Sequence, residues 1–383
     1  MPVIDVVCVH SLSRVHAAEF DTLVGQDNPF IEHNFLNALE QSQSVGAVAG
    51  WVPSHVFARR NNLLVGAIPA YVKDNSFGEY IFDWAWAQAA HRARIPYYPK
   101  VVCAVPFTPA SGPRILLHPD DPDKDSVTES LINGLFSLAE SSRASSIHVL
   151  FCTEAERNTL VSRYGFLPRI TFQYHWYADH YLSFEDYLSR LRAPARKMIR
   201  RERRQVQDAG VEVDVVPGRD LADNQWDLLY RYYRSTAREY GANPYLTREF
   251  FSVIRESQNQ RALGIFARQN AKTIAGSLYF EKGRHLYGRY WGRSEDIPAL
   301  HFELCYYRPI EYAITRGHTL FEAGAQGEHK IKRGLMPRAT YSAHWFRDQR
   351  FAASVSGYLD REAQVVAEQM TALSACGPFH RNS

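Results

Sequence analysis

Between Gly324 and Gly334 the chain reads GAQGEHKIKRG, which sets Glu328, His329, Lys330 and Lys332 among three glycines. Glycine lets a backbone approach a ligand closely. Acyl transfer to an amine needs a group that takes the proton of the nucleophile and a donor that stabilises the oxyanion. Glu or His suits the first task, and Lys or a backbone amide suits the second. Glu328 and His329 are therefore catalytic candidates, with Lys330 and Gly327 as substrate-binding candidates. The competing reading is a glycine-rich loop carrying solvated charges.

Two further clusters carry binding chemistry. Arg196, Lys197, Arg200, Arg201, Arg203 and Arg204 fall within nine residues at three- and four-residue spacing, with only Glu202 to balance them. On a helix they form a basic face suited to phosphate, with Arg200, Arg204 and Lys197 as the candidates; the alternative is a solvated helix face. YGRYWG (287–292) on a strand puts Tyr287, Arg289 and Trp291 on one side and Tyr290 on the other, either lining a cleft or filling a core. Cys305 has His301 and His318 in the sequence around it but sits in an apolar helical pattern, which reads as core. No HExxH, Walker or nucleophile-elbow motif occurs, which excludes zincins, P-loop enzymes and α/β-hydrolases of the usual pattern.

At 383 residues the chain exceeds the usual size of one hydrophobic core, so two compact units are expected. Forty-four basic against 41 acidic residues is too even for a dedicated nucleic-acid coat or membrane-surface protein. Five cysteines in no CxxC or zinc spacing predict neither a disulfide framework nor a metal site. Without a leader pattern or a long apolar run, cytoplasmic residence and no membrane span are expected.

Those units are visible as a duplication. GFLPRITFQYHWYAD (165–179) and GLMPRATYSAHWFRD (334–348) share seven of fifteen residues at an offset of 169. Upstream, NPFIEHNFLNALEQSQ (28–43) pairs with NPYLTREFFSVIRESQ (243–258), Phe57-Ala58-Arg59 with Phe266-Ala267-Arg268, and Val65-Gly66-Ala67 with Ala275-Gly276-Ser277. Each copy reads as strand, two helices, a hairpin, a strand, a helix and two strands, the last carrying His-Trp. The boundaries expected are 1–180, a linking basic helix over 181–210 split at Pro194, and 211–383, closing with a short helix near Glu362–Leu373. The repetition of His175 as His344 argues for structural roles.

This order of elements is similar to the GNAT acyltransferase fold, and its repetition resembles the Fem-type peptidoglycan aminoacyl transferases. GEYIFDWAWA, YYPKVVCAVPFTP, RKMIRRERR, YGRYWG, HFELCYYRPIEYAI and GAQGEHKIKRGLMP resemble segments of the FemAB-like bacterial family. The resemblance implies an α/β protein with a mixed sheet in two tandem GNAT-like domains, acting as an N-acyltransferase on an amine acceptor such as a peptidoglycan precursor. It implies that Lys332, in Ile331-Lys332-Arg333-Gly334-Leu335, takes the place of a transfer lysine and that Arg200 meets a pyrophosphate. The glycine-rich pyrophosphate loop of the GNAT pattern has no counterpart in VPFTPASGPRILL or YWGRSEDIPALHF, so aminoacyl-tRNA is favoured over acyl-CoA as the donor, with no permanently bound cofactor. FTPASGP is expected to project as a loop. A module that binds an anionic cell-wall precursor or RNA without catalysis is the alternative.

Overall fold

The computed structural model describes residues 3–239, 241, 243–324 and 327–380. Contacts divide the chain into two units, each built from two segments: Met1–Thr171 with Ala339–Ala367, and Phe172–Arg338 with Glu368–Ser383. The expected contiguous halves differ from this division in their last strands. Copy one's His-Trp strand passes into the second unit after Thr171, and copy two's passes into the first after Arg338.

In the first unit the elements run β1 (Ile4–Val9), α1 (Ala17–Asp21), α2 (His33–Gln41), β2 (Val52–Pro53), β3 (His55–Arg60), β4 (Leu63–Ile68), β5 (Ala70–Lys73), α3 (Trp84–Arg92), β6 (Lys100–Cys103), β7 (Leu116–Leu117), α4 (Lys124–Ser141), β8 (Ser146–Cys152), α5 (Glu154–Tyr164) and the start of β9 (Leu167–Tyr177). The second unit holds the rest of β9, α6 (Phe184–Ser189), α7 (Ala193–Asp208), β10 (Glu212–Pro217), α8 (Asp223–Glu239), α9 (Arg248–Ser257), β11 (Ala262–Gln269), β12 (Lys272–Lys282), β13 (His285–Arg293), α10 (Leu300–Phe302), α11 (Arg308–Arg316), β14 (Leu320–Glu322) and the start of β15 (Met336–Phe346). A final helix, α12 (Gln349–Ala375), is longer than the sequence pattern suggests. Asp348 caps its backbone amides, and Phe351, Val355 and Leu359 bury one face at four-residue spacing.

The duplication is visible in hydrogen-bond register. In the first unit β1, β3, β4 and β7 form an antiparallel sheet, and in the second β10, β11 and β12 pair in the same sense. Both hairpins carry a register shift at the same place, Ala58/Arg59 and Ala267/Arg268. Both turn through two residues of positive φ, Asn61-Asn62 and Asn270-Ala271, as a two-residue hairpin requires. Phe57 opposes Ala67 and Phe266 opposes Gly276, a constant offset of 209. Val65-Gly66-Ala67 therefore matches Ile274-Ala275-Gly276, one residue from the pairing suggested by sequence.

β8 of the first unit is buried along its whole length and takes β15 as an antiparallel neighbour, with His148 opposite His344. The two imidazoles meet Nδ1 to Nδ1 at 2.7 Å, while Ser146 and Ser342 reach the respective Nε2 atoms at 2.8 and 2.9 Å. One ring must donate at Nδ1 and the other accept there, so the chain of three bonds needs two neutral rings of opposite tautomer. Burial holds both well below the ordinary value of 6.5. FTPASGP does not project: Phe107, Thr108 and Ala110 are buried, and Arg114 is enclosed with its guanidinium donating to carbonyls of Ala110, Gly112, Pro113 and Leu150.

The unfolded chain binds these imidazole protons more readily than the folded one, so the stability from the neutral pair is complete above pH 6.5 and declines below it. Urea denaturation between pH 7 and 5 should give a slope for His148→Gln that is smaller than that of the parent by about 1.4 kcal/mol per pH unit. Identical slopes would mean that the pair is charged or absent.

Candidate active site

Short strand β14 delivers the chain to the glycine-rich segment. Its residues are buried, with Glu322 opposite Tyr287 of β13 on one side and His175 of β9 on the other. Paired residues in neighbouring strands share a face, so Tyr287, Glu322 and His175 form a row across three strands. His175 lies 4.0 Å from Glu322, and neither of its ring nitrogens has a hydrogen-bond partner among the described residues. Burial first, then Arg338 and Lys330, lowers it to about 3, so it is a neutral ring. The two duplicated histidines thus have different settings: His344 is bonded at both nitrogens and His175 at neither.

Beyond β14, Ala325 and Gln326 lie outside the described residues. Gly327 follows with φ +101°, where a Cβ would strike the His329 ring, and residues Glu328–Arg333 form a 3₁₀ turn. Side chains three apart eclipse in a 3₁₀ helix. Lys330 and Arg333 accordingly point inward and are buried, whereas His329 and Lys332 are exposed, as is Glu328. An α-helical or loop reading hides this difference between the two lysines.

Lys330 Nζ donates to the carbonyls of Ala323 at 2.6 Å and Gly324 at 2.9 Å and has no carboxylate partner among the described residues. Burial lowers it to about 8. A neutral amine has two N–H bonds, and both carbonyls can be served while the lone pair stays open. His329 Nε2 is 3.0 Å from the Tyr306 hydroxyl, and burial, with Arg333 and Lys330 nearby, lowers its basicity.

Arg333 anchors the turn. Its Nη2 donates to both oxygens of Glu202 at 2.8 Å, its Nε to the Tyr307 hydroxyl at 2.8 Å, and its Nη1 to the His329 carbonyl at 2.8 Å. Tyr307 also donates to Glu202, and the guanidinium lies 3.6 Å from the centre of the Phe302 ring. Tyr306 and Tyr307 are presented by a π turn, Glu303–Tyr307, wedged between α10 and α11. Pro309, which has no N–H, sits in the first turn of α11 and interrupts the regular ladder there. That proline inside the apolar pattern HFELCYYRP was the available sign of an irregular turn. Glu303 is buried against Arg203 and Arg308, and burial raises it. Cys305 is pushed far up by burial, which removes it as a nucleophile at neutral pH.

The basic helix starts at Arg192 with Pro194 in its first turn, as the split at that residue requires. Ile199, Glu202 and Val206 are its buried stripe, so the acid of the run faces inward, away from the solvated cations. Lys197, Arg201 and Arg204 are exposed without an ion pair among the described residues, and Arg200 meets Glu185 in an exposed pair. The expected face of Tyr287, Arg289 and Trp291 is broken. Tyr287 opposes Phe280 while Tyr290 opposes Leu278, which leaves Arg289 as an extra residue in the strand. Tyr287 and Tyr290 therefore share a face and Trp291 takes the other, against His301 at 4.6 Å. Arg289 turns back to the Tyr290 hydroxyl at 3.3 Å.

A duplicated α/β fold of the kind seen in FemX is what this architecture defines. The chain belongs to the FemAB-like family, described as peptidoglycan biosynthesis/recognition, whose model matches residues 11–381. Among solved structures it is similar to FemX at 11% identity, covering 92% of this chain and 100% of that one, with a TM-score of 0.52. L-PGS from Bacillus licheniformis matches at 9% identity over 85% and 94% of the two chains, TM-score 0.50. A tandem GNAT protein from the clavulanic acid pathway matches at 10% identity over 90% and 98%, TM-score 0.47. A search among curated sequences found no significant match. No described helix is long and apolar enough to cross a membrane, and the described residues contain no cluster suited to a metal ion.

Truncating Glu202 leaves a buried guanidinium without its carboxylate, which costs about 3–5 kcal/mol when the pair is enclosed. Glu202→Ala should show that loss in chemical denaturation, whereas Glu185→Ala, which removes only an exposed pair, should change stability by less than about 1 kcal/mol. Equal effects would contradict the anchoring of the turn.

Proposed function

We propose that the protein is an N-acyltransferase moving an acyl or aminoacyl group from an activated donor to an amine of a peptidoglycan precursor, with Lys330 receiving the proton of that amine. The observation that carries this reading is a buried lysine that, among the described residues, donates to the Ala323 and Gly324 carbonyls and meets no carboxylate, its basicity lowered to about 8. A base works best when its pKa lies near the operating pH. His329 and Glu328 flank the turn on its exposed side, where Lys332 would meet the negative charge of donor or acceptor. Lys197, Arg200 and Arg204 supply an exposed basic face for a pyrophosphate or a tRNA backbone. Gly327 leaves room for the His329 ring, which a side chain there would strike.

The chemistry balances without a covalent enzyme intermediate. The amine nitrogen attacks the donor carbonyl, the amine proton passes to Lys330 Nζ, and the ester or thioester bond breaks as the tetrahedral oxyanion collapses; an ester's leaving oxygen takes that proton back from Lys330, and a thioester's sulfur leaves as thiolate.

Incubating the protein with a muramyl-pentapeptide acceptor and, in parallel, aminoacyl-tRNA or acyl-CoA tests the reading by mass spectrometry of the acceptor. A mass gain from one donor is expected, and no transfer from either would overturn it. Lys330→Met should lower kcat/KM by about a hundredfold or more. Lys332→Ala should act mainly through KM. For the parent enzyme kcat/KM should rise with pH to a plateau above about 8, as the base loses its proton.

A further inference from the structure

The first unit contains a second concentration of buried charge that the transfer chemistry does not use. Lys73 and Lys100 are fully enclosed with Glu79 and Asp83. Lys100 donates to Glu79 at 2.9 Å, to Ser76 at 2.9 Å and to Asp83, which also accepts from Tyr97 at 2.6 Å. Lys73 lies 3.6 Å from the centre of the Trp51 ring and donates to the Phe77 carbonyl at 3.1 Å; Trp51 Nε1 donates to the same carbonyl at 3.0 Å. Arg169, itself clamped by Glu362, holds the Phe82 carbonyl at 2.9 Å. The backbone of residues 74–84 is thus fixed from beneath by buried donors.

What that fixed backbone displays is apolar. Phe77 and Phe82 are each 56% exposed, Trp84 43% and Tyr80 39%, with the Phe77 and Trp84 rings 5.1 Å apart. Four exposed aromatics within eight residues mark an interaction surface. Helix α3 continues from Trp84, and its exposed side runs through Gln88 to His91 and Arg92, about 12 Å along the axis, with Arg94 exposed just beyond. Glu79 and Asp83 are turned inward onto Lys100, so the surface between Phe77 and Arg94 presents aromatic rings and cations without an exposed acid.

We propose that this segment seats the protein on an anionic lipid surface, with Phe77, Phe82 and Trp84 entering the headgroup boundary and Arg92 and Arg94 meeting lipid phosphates. Aromatic side chains favour that boundary, and cations add attraction to acidic lipid. Two exposed phenylalanines, which offer no hydrogen bond to a hydroxyl, fit an apolar boundary better than a sugar. The fixed backbone also lowers the ordering entropy of insertion.

Co-sedimentation with vesicles of equal parts phosphatidylglycerol and phosphatidylcholine tests this, with quenching of tryptophan fluorescence by brominated acyl chains as the second readout. The parent protein should partition to these vesicles and much less to phosphatidylcholine alone. Phe77→Ser with Phe82→Ser should bind about tenfold more weakly at an unchanged melting temperature. Arg92→Glu with Arg94→Glu should remove the preference for acidic lipid. No partitioning of the parent, or equal partitioning of the phenylalanine variant, overturns the proposal. So does Phe77-dependent binding of a soluble disaccharide peptide without vesicle binding. Because the readout is binding, its failure is separable from any failure of the transfer reaction.

Discussion

The ion pair between Glu202 and Arg333 sets the geometry of the second unit's candidate site. It ties α7 to the 3₁₀ turn, and Tyr307 joins it from the π turn, so three irregular or oppositely charged pieces are locked around one enclosed guanidinium. Enclosing such a group is worthwhile only when its donors are matched, and here Nε, Nη1 and Nη2 all have acceptors. With Arg333 held, the eclipsed Lys330 is carried to the end of β14. Tyr187, donating to the Arg333 carbonyl at 2.5 Å, packs where Gly334 has no side chain, which closes the turn from its far end.

The same helix shows how one amphipathic element serves two electrostatic purposes. Within its basic run the one acid, Glu202, faces inside onto Arg333, and the cations, apart from Arg203 on Glu303 and Glu311, stay outside, with the exposed Asp208 only at the helix end. The outer face is therefore more positive than the composition of the helix suggests, and that field extends roughly a Debye length, about 8–10 Å, into physiological solution. A long polyanion would feel it before contact.

Much of the architecture was legible because duplication repeats a pattern, and a repeated pattern is hard to mistake. The two hairpins, the split at Pro194 and the paired His-Trp strands all follow from residue types that act locally. What was not legible depended on counting residues through irregular backbone. One extra residue at Arg289 reverses the face of everything after it in β13, and no residue type announces such a bulge. The distinction between Lys330 and Lys332 depends on a period of three where the surrounding helices repeat at 3.6. Glu202 looked like a lone counter-charge on a solvated face; its burial depends on Arg333, 131 residues away, which spacing on α7 cannot reveal. The equivalence of His175 and His344 in sequence likewise concealed unlike surroundings, because each strand acquires its neighbours from a different part of the chain.

That exchange of terminal strands has a consequence for biosynthesis. Every residue of β8 is buried in the finished protein, yet the stretch of β15 that pairs with it, Tyr341–Phe346, comes nearly two hundred residues later. While the ribosome is still producing the second half, the first must wait with an apolar strand edge uncovered, a state prone to mispairing with other chains. A chain cut at the repeat boundary would leave each unit lacking a strand that the other half of the sequence supplies.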